Sequence, residues 1–229
     1  MRSDISKAKR NRIMVNKDKL NKRGLLLIIE GNDGAGKSTL IKYLSKYFKS
    51  RGFHSVIVKF NMSYVTLGSI KYGKKIFFGP AANTLLHTTS IIDQFERYVW
   101  RELLKGHIVL CDRYIYSVIA RGIVRGIDPF IATSLLNWVV QPDIVFFLDI
   151  LPRDSLKRVG INHISFWEAG QDILYNKSKE ECFLEFQNRV RNIFLNYSGE
   201  WLFHILDATM STQKLIEKIL DVLKGNKLL

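Results

Sequence analysis

The sequence predicts an α/β fold, a five-stranded parallel sheet covered by helices on both faces. Three observations lead there. Five short, almost wholly apolar runs recur along the chain, with the length and composition of strands buried on both sides. Stretches with apolar residues three and four positions apart separate them, which is helical spacing. The first apolar run leads straight into a glycine-rich loop and then an amphipathic helix.

In chain order, the predicted strands are Leu25–Ile29, Ser55–Phe60, His107–Cys111, Ile144–Leu148 and Leu202–Leu206. Leu40, Ile41, Leu44 and Phe48 share one helical face that stops at Arg51-Gly52, glycine being the residue that best ends a helix. Ile91, Ile92, Phe95, Val99, Leu103 and Leu104 form a second stripe, closed by Gly106. Further helices are expected over 130–140, 155–159, 182–197 and 215–223.

Composition narrows the class. With 47% apolar and 12% aromatic residues among 229, the chain can bury a core of ordinary size, which excludes global disorder. No apolar run approaches the roughly 18–20 residues needed to cross a bilayer, so no membrane partner is expected. Cys111 and Cys182 lie in apolar segments, too few for a disulfide framework. A cytoplasmic location is the expectation. The net charge of +14 is uneven: residues 1–23 carry nine basic side chains against Asp4 and Asp18. They read as a flexible basic extension before one domain over residues 24–229. Such an extension could make weak nucleic-acid contacts through phosphate neutralisation.

Chemistry begins at Gly31-Asn32-Asp33-Gly34-Ala35-Gly36-Lys37-Ser38-Thr39, which fits G-x-x-x-x-G-K-[ST] in full. Its glycines let backbone N–H groups curl around a phosphate chain, and the following helix adds its N-terminal dipole. Asn32, Asp33, Gly34, Ala35 and Gly36 thus cradle phosphate, and Thr39 opens the helix. Lys37 is expected to reach the β- and γ-phosphates, and Ser38 to bind Mg²⁺. No guanine-reading Asn-Lys-x-Asp lies on a late strand, so a compact ATP-dependent small-molecule kinase is expected. The third strand ends in Asp112-Arg113-Tyr114, at the edge where parallel sheets bind ligands. Asp112 either holds Mg²⁺ through water or orients Arg113, whose planar fork suits phosphate.

With these blocks in hand, the chain resembles the thymidylate kinase family of P-loop nucleotide kinases. Besides the two segments above, Ser117, Gln141-Pro142-Asp143, Leu148-Asp149 and Leu206-Asp207-Ala208-Thr209 carry the resemblance, and Phe186 to Arg191 more weakly. It implies ATP- and Mg²⁺-dependent phosphorylation of a nucleoside 5′-monophosphate, dTMP or a related pyrimidine nucleotide, by a homodimer. Asp33 would then contact the acceptor sugar, Arg113 the acceptor phosphate, Ser117 the acceptor site, and Ala208 the adenine of ATP.

Several positions depart from the family pattern. Phe60 is followed by Asn61-Met62-Ser63 where an arginine-bearing Arg-Glu-Pro-Gly is usual, so that phosphate contact is expected to be missing or supplied from elsewhere. Arg97 is either an arginine near the base or, the simpler reading, a solvated arginine on the helix. Arg121 replaces a tyrosine and either meets an anionic group of the acceptor or points to solvent. The lid, expected at about 159–180, holds no arginine between Gly160 and Asp172; Arg158 at its hinge is the favoured substitute as a catalytic cation, ahead of Arg153, Lys157, Arg189 and Arg191. Phe166-Trp167 either closes over a ligand or packs the lid. Two alternatives accompany this reading: a kinase for a modified nucleoside or a nucleic-acid-held nucleotide, and a nucleotide-binding regulatory protein with little turnover.

Overall fold

The computed structural model describes residues 23–228, so the basic segment 1–22 lies outside the described residues. The predicted sheet is present. β1 (Leu26–Gly31), β2 (Ser55–Lys59), β3 (Ile108–Asp112), β4 (Ile144–Asp149) and β5 (His204–Asp207) run parallel in the order β2-β3-β1-β4-β5. Between them lie α1 (Lys37–Ser50), α2 (Tyr64–Lys75), α3 (Pro80–Gln94), α4 (Trp100–Leu104), α5 (Ile115–Val124), α6 (Pro129–Ser134), α7 (Pro152–Val159), α8 (Phe166–Ala169) and α9 (Lys179–Tyr197). α10 (Thr212–Gly225) closes the chain.

β1 shows why its sequence is apolar without alternation. All of its residues are buried; Leu26 and Ile28 join the core on one face of the sheet, while Leu27 and Ile29 join the core on the other. The first core packs α5 and α9 with Phe147, Phe183 and Phe194; the second packs α1 and α10 through Leu40, Ile41, Leu44, Phe48 and Ile219. Each such fully buried side chain contributes about 1.5–3 kcal/mol.

Three elements differ from the sequence reading. The stretch expected as a helix over 130–140 divides into α6, capped by Asp128, and a 3₁₀ turn Leu135–Trp138. β5 starts at His204 because Leu202 turns through a left-handed conformation, φ 55°, while Trp201 enters the core. α2 had no helical signal in its apolar pattern, since Tyr64, Val65 and Tyr72 are exposed and Thr66, Ile70 and Gly73 are its buried residues.

The order of the strands sets the site. From β1 the chain crosses past β3 to β2, and after β3 it crosses past β1 to β4. The switch point therefore lies at the C-terminal ends of β1 and β3, where the glycine-rich loop and Asp112-Arg113 emerge together. At the opposite edge, the Arg23 guanidinium pairs with Asp143 at 2.8 and 3.0 Å, and Asp143 also accepts from the Leu26 amide. Arg23, expected as the end of the extension, is bound to the domain.

Candidate active site

The loop after β1 is held open by backbone that only glycine adopts freely. Gly34 and Gly36 have φ of 81° and 91°, and Gly36 precedes α1 directly. Gly34 also abuts the hinge helix α7: a Cβ there would lie 2.7 Å from Val159 Cγ2 and 2.9 Å from the Ser155 carbonyl oxygen. The Ser155 hydroxyl donates to the Asp33 carbonyl.

Lys37 is buried, and its ammonium donates to the carbonyls of Asn32 (2.8 Å) and Gly31 (3.1 Å). Burial first, and then the Arg113 guanidinium, push its pKa down to about 7 against the pull of Asp33, Asp112 and Glu30. The Ser38 hydroxyl donates to Asp112 Oδ2 at 2.5 Å, so the loop and the end of β3 present two oxygen ligands side by side. Thr39 is exposed on the same turn, and Ala35 is buried beneath the loop.

Arg113 leaves β3 with φ 71°, a strained conformation for a non-glycine residue, held by its amide bond to the Ile29 carbonyl. Its guanidinium donates to the Gly31 carbonyl and the Ser117 hydroxyl, both at 2.9 Å, and to Asp33 Oδ1. Arg121 donates to the other Asp33 oxygen at 2.6 Å, and Gln187 adds a third bond at 3.0 Å. Burial would raise the Asp33 pKa, but Arg121 and Arg113 outweigh it and hold the carboxyl well below the usual range. Behind Arg113, Glu30 is fully buried and accepts from the Tyr114 amide (2.8 Å), the Ser117 amide (3.2 Å) and the Ser117 hydroxyl (2.6 Å). Glu30 thereby ties the end of β1 to the first turn of α5.

Two connected cavities meet at Asp33, Phe60, Arg113 and Glu168. One, over the loop, includes Lys37, Ser38, Asp112 and Lys59. The other, of about 130 Å³, runs between α2, α3, α5 and the lid segment, past Asn83, His87, Arg121 and Trp167.

The expected residues divide accordingly. Asp33, Lys37, Ser38, Asp112, Arg113, Ser117 and Arg121 come together. Arg97 does not: its side chain is 71% exposed and paired with Asp93 on the same helix. It falls in a π-helical turn, Phe95–Val99, whose extra residue rotates the helix face, so counting at 3.6 residues per turn misplaces it. Arg158, expected as the lid-hinge cation, reaches the Ala208 carbonyl at 2.9 Å, which puts it beside the segment expected against adenine. Arg191 is held by Asp149 and Arg189 by Glu185. Phe166 and Trp167 pack against Phe77, with ring centroids 5.4 and 6.3 Å away, and Trp167 also lines the cavity. Lys59 was missed. It stands opposite Asp112 in the β2–β3 register, and a charge ending a parallel strand was a usable signal.

Comparison with known proteins agrees with this architecture. A family model described as thymidylate kinase matches residues 29–219. A probable thymidylate kinase 2 of Saccharolobus solfataricus is 34% identical over 175 residues, covering 75% of this chain and 82% of that one. The thymidylate kinase of Mesomycoplasma hyopneumoniae is 32% identical over 210 residues, 86% and 95% of the two chains. Among solved structures, the thymidylate kinase of Candida albicans superposes with a TM-score of 0.70 over 90% of this chain and 93% of that one, at 22% identity, a likeness of fold. By the match along most of its length and by relatives above 30% identity, this chain belongs to the thymidylate kinase family, a family of nucleoside monophosphate kinases.

Proposed function

We propose that the protein transfers the γ-phosphoryl group of ATP to the 5′-phosphate of dTMP, giving ADP and dTDP. An α-phosphate oxygen of dTMP forms the new P–O bond as the bond between the γ-phosphorus and the β–γ bridging oxygen breaks, and its electron pair leaves on ADP. The observation that carries this reading is that Lys37, Lys59 and Arg113 line the cavity over the loop, and that Arg113 also lines the cavity beyond Asp33. Two anionic substrates brought end to end need fixed cations at their junction, and positioning plus charge neutralisation is nearly all that such a reaction asks of a protein.

In this reading the loop from Asn32 to Thr39 wraps the ATP phosphates, Ala208 and Arg158 flank its base, and Lys59 with Arg113 holds the acceptor phosphate. Asp33, oriented by Arg113 and Arg121, faces the acceptor sugar, with Ser117 fixing Arg113 from behind. Ser38 and Asp112 supply hard oxygen ligands, a set suited to Mg²⁺, which takes one or two protein oxygens and completes its shell with phosphates and water. When bound, Mg²⁺ neutralises charge on the β- and γ-phosphates. Residues 159–180, running from the end of α7 into the first turn of α9, form the lid over both cavities.

We also propose a homodimer formed through the outer face of α3 and α4, where Ile92, Phe95, Trp100 and the 61% exposed Trp138 line an apolar groove. No described helix is long and apolar enough to cross a membrane. Arg23 sits at the sheet edge opposite the crevice, so nucleic-acid contact by the basic segment 1–23 is proposed as separate from phosphoryl transfer, in a cytoplasmic enzyme. The test is ADP release with purified protein, ATP, Mg²⁺ and a panel of nucleotides. Turnover that depends on dTMP is the expected result; ATP hydrolysis indifferent to every acceptor overturns the proposal.

A further inference from the structure

Charge is uneven within the folded domain as well as along the chain. Residues 34–92 hold nine Lys or Arg, and all 21 Asp and Glu of the protein lie outside them. Some of these cations line the two cavities; those on α1 past its first turn, and in the turn that leads into β2, line neither. Lys42, Lys46 and Lys49 are four and three residues apart, which sets them in one exposed row on α1, and the exposed Arg51 follows where the helix ends. Among the described residues, none of these four cations is paired with a carboxylate.

Aromatic rings stand among these charges. Tyr43 is 51% exposed, with the Lys46 ammonium 5.9 Å from its ring centroid, and the Arg51 guanidinium lies 5.4 Å from that of Tyr47. Phe53 is 46% exposed in the turn, next to the exposed His54. The Ile108 amide donates to the His54 carbonyl at 2.9 Å and the Val109 amide to the Leu25 carbonyl at 2.7 Å. The turn before β2 and the chain arriving from the basic segment 1–23 therefore flank the start of β3. Nearby carboxylates are engaged: Glu102 accepts from Lys105 and from His107, at 2.7 Å each, and Asp143 from Arg23.

We infer that the exposed face of α1 and the turn after it form a docking surface for single-stranded nucleic acid, with Lys42, Lys46, Lys49 and Arg51 on its phosphates and Tyr43 and Phe53 stacked on its bases. The inference is independent of the phosphoryl-transfer reading and extends the contact proposed for residues 1–23 onto the folded domain. A row of cations with no carboxylate among them suits a polyanion, and exposed rings within it suit unpaired bases, each of which has a π face. A duplex keeps its bases stacked inside and is read by an element that enters a groove. α1 instead lies flat on the sheet, with Leu40, Ile41, Leu44 and Phe48 buried in the core. That burial also argues against an anionic membrane, which takes up the apolar face of a helix, because this face of α1 is already covered.

The test is fluorescence anisotropy of the full chain with a labelled oligodeoxycytidylate of about 20 nucleotides, long enough to span a single-strand site. A duplex of the same length and vesicles of phosphatidylserine and phosphatidylcholine are measured alongside. Lys46→Gln combined with Lys49→Gln should lower the slope of log affinity against log salt by about 1.4, two phosphate contacts at about 0.7 each. Lys42→Gln combined with Arg51→Gln repeats that measurement on a second pair. Tyr43→Ser should weaken binding by about tenfold to a hundredfold and leave the slope unchanged. These side chains are exposed, so melting temperature and ADP release should stay at wild-type levels in every variant. An unchanged slope in both pairs overturns the α1 face and leaves any binding to residues 1–23. Tighter binding of the duplex or the vesicles, or full affinity in Tyr43→Ser, overturns the assignment to single strands. Failure to bind the oligonucleotide at low salt overturns the inference entirely, while dTMP-dependent ADP release would still stand.

Discussion

The hydroxyl of Ser38 and the carboxylate of Asp112, 74 residues apart in sequence, meet at 2.5 Å where β1 and β3 end side by side. Among the described residues neither group has another side-chain partner, and together they line the cavity over the loop. Ser38→Ala and Asp112→Asn are each expected to lower kcat by about 10²–10³, the usual cost of removing one preorganised charge-stabilising group. Both are expected to raise the MgCl₂ concentration needed for half-maximal rate, while thermal melting of the free protein changes little. Rates titrated against MgCl₂ check this; an unchanged metal dependence refutes the assignment.

Lys37 is expected to make nucleotide binding a proton-linked event. In the free protein its pKa is lowered to about 7 by burial and by Arg113, so at pH 8 it is largely neutral. A polyphosphate beside it favours the ammonium form and raises that pKa. ATP binding at pH 8 should therefore take up close to one proton, and at pH 6 almost none. Calorimetry in buffers of different ionisation enthalpy measures the uptake directly. The sign for stability follows from the same shift: between about pH 7 and the ordinary lysine value the unfolded chain holds more protons, so this group's contribution to stability rises with pH across that window.

How much could be read beforehand depends on whether a function lies within one contiguous segment. The loop from Gly31 to Thr39 and the Asp112-Arg113 pair were legible, because each is a strand end whose chemistry is written in adjacent residues. The acceptor cavity was not. Its Asn83 and His87 come from α3, Lys74 from α2, Arg121 from α5 and Arg125 from the residue that caps it, and only packing brings them together. Arg125 had no local signature at all, yet it ties α5 to the lid through Asp172 and lies 4.6 Å from the centre of the Phe186 ring. Gln187 and Glu30 lie in segments that carry the resemblance, but what each does was not legible, since each acts through contacts with distant parts of the chain.

Gly34 couples the phosphate loop to the lid hinge. Because a Cβ at that position would press into Val159 and the Ser155 backbone, and φ is 81°, Gly34→Ala forces either the loop or α7 to move. The expected cost is about 1–3 kcal/mol, with weakened ATP binding in addition to a lower melting temperature. Gly36→Ala makes the comparison informative: no atom lies within 4 Å of its Cβ position, so it meets conformational strain at φ 91° without the clash. Gly34→Ala should destabilise more than Gly36→Ala, and adding Val159→Ala should recover part of the difference. Denaturant melts of the single and double variants decide.

Arg121 and Arg97 provide opposite predictions for two arginines that the sequence left open between acceptor contact and solvent. Arg121 is largely buried beside the Phe186 ring and shares Asp33 with Arg113. Arg121→Ala removes one of the two cations that fix the Asp33 carboxylate, so the group proposed to face the sugar loses its orientation while the loop and its Lys37 remain intact. KM for dTMP should rise by about tenfold to a hundredfold, with KM for ATP nearly constant. Arg97 makes an exposed pair with Asp93, and such pairs contribute roughly 0–1 kcal/mol. Arg97→Ala should leave both KM values within about twofold, in line with that small contribution. If Arg97→Ala instead raised KM for dTMP, the acceptor would have to reach the outer face of the helix, which the cavity past Asn83 and Val118 does not approach.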